Sequence, residues 1–73
     1  MRILLEDKSN GLYLAAPGEW IKNPEKAHGF RNEGEAIEAA GREKIINGAL
    51  AYLFPNPISN FSVPLKSVRR TLA

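Results

Sequence analysis

Seventy-three residues with no cysteine, one histidine, 44% hydrophobic and 25% charged side chains describe one small globular domain and leave no length for a second. The missing cysteine excludes disulfides, thiolate zinc sites, iron–sulfur clusters and cysteine nucleophiles together. The net charge of +2 is split: residues 1–43 carry six basic and eight acidic side chains, whereas residues 44–73 carry Lys44, Lys66, Arg69 and Arg70 with no acid.

In chain order, Arg2–Glu6 and Leu12–Ala16 are short apolar runs separated by Asp7-Lys8-Ser9-Asn10-Gly11. Asn-Gly between apolar runs predicts a hairpin over about residues 2–16, because both residues accept positive φ and so match the strand twist. Whether Asn10-Gly11 is the whole loop or the end of a longer bulged one stays open, and a one-residue slip exchanges the two faces. Pro17-Gly18 is a turn dipeptide, and Glu19–Lys22 follows as a short third strand or an extended segment. Asn23-Pro24 opens a single helical turn, capped by Asn23 and stopped by Gly29.

Asn32 caps the main helix, with Glu35 placed three residues later as the capping-box acid. Glu33 and Glu35 in the first turn and Arg42 and Lys44 near the end suit the macrodipole, and Glu38 and Arg42 form an i, i+4 pair. Ile37, Ala40 and Ile45, with Ala36 and Gly41 beside them, make the apolar face, and Asn47-Gly48 ends the helix. Gly41 on that face reads equally as a point of close approach or a tolerated imperfection. Ala49–Phe54 is apolar on both parities and predicts a strand buried on both faces, or on one face with a partner over the other. Prolines 55, 57 and 64 then mark an extended segment, with an edge strand around Phe61 and Val63.

This order predicts an α+β fold: an N-terminal β-hairpin plus further strands in a small, mostly antiparallel sheet, with one main α-helix over about residues 33–46 packed on one face. Residues 1–54 form the domain, and residues 55–73 a Pro-rich extended C-terminal segment with a basic end.

The chemistry-bearing side chains are sparse. His28 stands alone on a surface turn, without the partner that acid–base or nucleophilic catalysis needs. Glu35 and Glu38 share a helix face, but the cap and Arg42 already account for them. There is no acid–x–acid metal spacing and no glycine-rich phosphate loop. The expectation is a protein that is not an enzyme and has no cofactor and no metal. The first apolar run is too short for a signal peptide and no run spans a membrane, so a cytoplasmic location is expected.

Gly11-Leu12-Tyr13-Leu14, Trp20, Asn23-Pro24, Ala27, Phe30 and Glu35-Ala36-Ile37 together give the chain over residues 3–54 a likeness in order and spacing. It resembles small uncharacterised bacterial single-domain proteins with a Trp-x-x-Asn-Pro segment, an Ala-x-x-Phe step and a helix opening on Glu-Ala. That resemblance implies an α+β fold in which Trp20, Ala27, Phe30 and Ala36 are packing residues. It implies no activity.

The six aromatic residues are first of all core in so small a chain. A strand apolar on both faces, followed by an apolar tail, favours an interaction module acting by self-association (a homodimer) or through a protein partner. Its contacts would be Trp20, Tyr52, Phe61 and Val63. The alternative is weak nucleic-acid binding through Lys66, Arg69 and Arg70, with a shallow salt dependence.

Overall fold

In the computed structural model, which describes residues 1–66, β1 (Arg2–Asp7) and β2 (Leu12–Ala16) form the expected hairpin. Its loop is four residues long, because Asp7 pairs with Leu12. Gly11 sits at φ +73° and its N–H donates to Asp7 O at 2.8 Å, but Asn10 does not take positive φ. Instead the Asn10 carboxamide oxygen accepts from Leu12 N at 3.0 Å, and the Asp7 carboxylate from Ser9 N at 2.9 Å. Side-chain acceptors therefore hold the turn where a second left-handed residue was expected. The register places Leu14 on one face with Ile3 and Leu5, and Tyr13 on the other beside Glu6.

Pro17-Gly18 reverses the chain, Gly18 taking φ +74°, and β3 (Glu19–Ile21) runs back along β2. Asn23 caps a 3₁₀ turn (Pro24–Lys26), its side chain accepting from Glu25 N. Asn32 caps helix α1 (Glu33–Glu43) through Glu35 N at 3.0 Å. Glu35 reaches back one residue beyond the cap, accepting from the backbone N–H of Arg31 and binding its guanidinium. β4 (Gly48–Leu53), a second 3₁₀ turn (Pro57–Ser59) and β5 (Phe61–Pro64) complete the chain order. The sheet is five-stranded and antiparallel, in the order β3-β2-β1-β4-β5. This is the α+β architecture expected, with the edge strand present at Phe61 and Val63.

The helix differs from its predicted extent. It stops at Glu43 rather than near 46, because Lys44 adopts the left-handed conformation (φ +55°) and donates its N–H to Gly41 O. The chain then swings Ile45 inward and leaves Ile46 95% exposed. Asn47-Gly48 is thus no helix stop, and Gly48 already belongs to β4. The packed face also differs: Ala36, Ala39 and Ala40 are wholly buried, while Ile37 and Ile45 border the cluster. Three alanines at i, i+3 and i+4 allow the helix to lie close on β1 and β4. Ala39 was not in the predicted face, and Gly41 is exposed rather than in it.

The two glycines consequently have opposite requirements. A methyl group at Gly41 meets nothing within 4 Å, whereas one at Gly48 falls 2.5 Å from the terminal methyls of both Ile45 and Leu65. Gly41→Ala is expected to raise stability by about 0.5–1 kcal/mol through helix propensity. Gly48→Ala is expected to lower it by about 1–2 kcal/mol through overpacking. Urea unfolding of both variants checks this, and a shift of the same sign in the two contradicts it.

The helix-side core joins Ile3, Leu5, Leu14 and Leu50 to the helix alanines and Leu65. Leu4, Ala27 and Ala51 form a smaller cluster on the opposite face, under the first 3₁₀ turn. Arg2 holds that turn in place, donating Nη2 to Ala27 O at 2.6 Å and Nη1 to Glu25 O and Pro24 O at 3.2 and 3.4 Å. So β4 is covered on both faces within one chain: Leu50 and Ala51 are 0% and 4% exposed. No partner chain is needed to cover either face of this strand.

One irregularity opens the sheet. β1 and β2 pair only at Glu6–Tyr13 and Asp7–Leu12, then part. Residues 28–30 enter the gap, Phe30 N donating to Ile3 O at 2.8 Å and His28 N to Leu14 O at 3.0 Å. The carbonyls of Ile3 and Leu14 are therefore satisfied by an inserted segment.

Candidate functional site

Alternation along β4 and β5 sends Tyr52 and Phe61 to the same face as directly opposed residues, and Val63 to that face opposite Leu50. The Tyr52 and Phe61 rings stack at 4.8 Å with planes 19° apart, and Phe54 lies 6.0 Å from Phe61 at 24°. Phe54 was not among the predicted contact residues. The predicted strand over Ala49–Phe54 included it, but the spacing did not show which ring of the returning segment it would meet. Asn60 makes that return, its side chain accepting from Phe54 N. Phe61 is 51% exposed and neighbouring Ile58 is 90% exposed, the largest apolar exposures at this end of the sheet apart from Met1.

Tyr52 also joins the row to the helix, its hydroxyl donating to the Glu33 carboxylate at 3.4 Å. Burial pushes the Tyr52 phenol above its ordinary pKa, and the charge of Glu33 adds to the shift. Tyr13, on the other face, is raised in the same way by burial and by Glu6 opposite it. Neither phenol is thereby activated as an acid near neutrality. The Arg31 backbone N–H and guanidinium hold the Glu35 carboxyl below its usual range. Glu35 is thus engaged at the helix start, as the capping reading expected, although with Arg31 rather than the cap residue's own N–H.

Tyr52, Phe61 and Val63 are therefore brought together, but Trp20 is not. It lies on β3 at the far edge of the sheet, half-buried against the helix-side core, opposite Leu14. Trp20, Ala27, Phe30 and Ala36 all pack as the sequence resemblance implied. Of the basic trio, Lys66 is exposed just beyond β5, and Arg69 and Arg70 lie outside the described residues. Among the described residues, no cluster of three or more His, Asp or Glu side chains is placed to hold a metal, and no helix is long and apolar enough to cross a membrane.

No protein-family model matches the chain, and neither a curated protein nor a solved structure shows significant similarity to it.

Proposed function

We propose that the protein is a small non-catalytic interaction module that joins a second copy of itself through the β5 edge. The observation that carries this reading is Phe61, half exposed at the sheet edge and already stacked on Tyr52. The 4.8 Å between those rings is the spacing of adjacent strands, so a strand added outside β5 would lay a side chain on Phe61's outer face. Among the described residues, no strand pairs with that outer edge. Phe61–Leu65 contains no charged side chain, and Pro64, which lacks a donor, is the one edge-blunting residue in β5. A two-fold contact there opposes no acid to another, and the aromatic row would form its apolar centre.

Sedimentation equilibrium from micromolar to millimolar concentration tests it. The expected result is a monomer–dimer equilibrium, weakened at least about tenfold (about 1.4 kcal/mol) by Phe61→Lys. Ile58→Lys leaves the ring stack intact and is expected to weaken association in the same direction. A strict monomer throughout, or a dimer indifferent to both substitutions, contradicts the reading.

A further inference from the structure

We infer that the concavity between the end of β2, the inserted segment 28–30 and the end of α1 is a binding cleft for a small organic acid with an aromatic or branched apolar body. The cleft, about 300 Å³, lies beside the end of β2, walled by the inserted segment and α1, and it shares no lining residue with the β5 edge. Leu14, Ala16, Pro17 and Phe30 line its apolar part, and His28 and Arg42 supply its nitrogen-bearing side chains. That volume stands at the lower end of the range for small-molecule sites, which suits one ring or branched chain with a short acidic arm.

Three observations converge on it. The first is Arg42. Its i, i+4 spacing assigns it to Glu38, yet the pair does not form, and among the described residues Arg31–Glu35 is the single side-chain ion pair. Arg42 lines the cleft and has no anionic partner among the described residues. The second is His28, whose ring stands edge-on to Phe30 with centroids 4.7 Å apart and planes at 81°. That contact fixes the imidazole against the apolar wall, and no side-chain hydrogen bond among the described residues engages it.

The third observation is that the walls are set before any ligand arrives. The β2–β3 turn is tied to the end of α1 by Gly18 N donating to the Glu43 carboxylate at 3.1 and 3.3 Å. The inserted segment is tied on both sides by the His28–Leu14 and Phe30–Ile3 backbone bonds. A preformed concavity avoids the ordering cost that weakens binding to mobile loops. Glu43 is engaged by Gly18 and Glu35 by Arg31, and Glu38, one turn before Arg42, makes no ion pair with it, which leaves Arg42 available to a carboxylate from outside. A guanidinium binds such a group with two parallel N–H donors, and the apolar wall takes the rest of the ligand.

The test is a ¹⁵N–¹H titration of the full chain with 3-phenylpropionate, its neutral amide, and acetate. The expected result is saturable shifts confined to residues 14–18, 28–30 and 42 with 3-phenylpropionate. The amide and acetate should bind at least tenfold more weakly, one lacking the charge and the other the apolar body. Arg42→Gln, on an exposed position, should weaken 3-phenylpropionate at least tenfold while leaving distant resonances unchanged. Equal binding of acid and amide, retention of affinity in Arg42→Gln, or shifts centred elsewhere overturn the inference. A flat titration overturns it too.

Discussion

Leu50→Ala is expected to cost about 3 kcal/mol, the largest loss from any single substitution considered for this chain. Leu50 is wholly buried in β4, between Leu5 on β1 and Val63 on β5, and beneath the helix alanines. The buried helix residues over the site are alanines, which cannot lean in to fill the space left. A 73-residue domain has a total stability of about 4–10 kcal/mol, so one substitution removes a third or more of it. The melting temperature should fall by roughly 15 °C. Thermal and urea unfolding read the change directly. Ile46→Ala serves as the control, since Ile46 is 95% exposed and its loss should shift stability by less than about 0.5 kcal/mol. A loss below about 1 kcal/mol in Leu50→Ala would mean the core closes over the cavity, contrary to the tight packing described.

Arg2→Ala is the second large effect, expected at about 2 kcal/mol, although Arg2 is only half buried. A 3₁₀ turn leaves its last carbonyls without internal partners, and here one guanidinium serves those of Glu25 and Ala27 and adds a second donor to Pro24 O, which already accepts from Ala27 N. Truncation leaves the carbonyl of Ala27, a 95%-buried residue, without that donor and frees the segment that covers Leu4 and Ala51. Hydrogen exchange at the Lys26 and Ala27 amides should accelerate, beyond any change in the helix. Arg2→Lys should recover only part of the loss, because an ammonium cannot span the three carbonyls at once. Full recovery by lysine would show that charge alone, without the fork geometry, holds the turn.

Much of the fold was legible because its signals are local. Asn23 and Asn32 cap the residues that follow them, and Gly18 takes the left-handed angle that a Pro-Gly turn demands. Each of these rests on contacts within a few residues, where sequence spacing and spatial distance are nearly the same thing. Gly48 was misread for a related reason. Glycine is the usual left-handed stop, yet Lys44 took that conformation and Gly48 was needed where Ile45 and Leu65 converge. Nothing local marks a convergence of residues 3 and 17 positions away.

The candidate sites divide along the same line. Phe61 and Val63 could be singled out on the expected edge strand and Tyr52 on the strand apolar on both faces, but Phe54 entered the stack only through the β4–β5 return, and Trp20 was carried to the opposite edge. The cleft left no trace in the sequence. His28 read as a lone surface imidazole and Arg42 as the partner of Glu38, and both readings considered only residues close in the chain.

By itself, then, the sequence determined the class of fold, the hairpin, the caps and turns, and the absence of every chemistry that needs cysteine. The tertiary structure decided where the helix ends, which face of each strand is covered, that Arg2 clamps the 3₁₀ turn, and that residues 28–30 part β1 from β2. The division is physical: dihedral preferences and hydrogen bonds to near neighbours act in every conformation of the chain, whereas packing and long-range pairing exist only once distant segments have met.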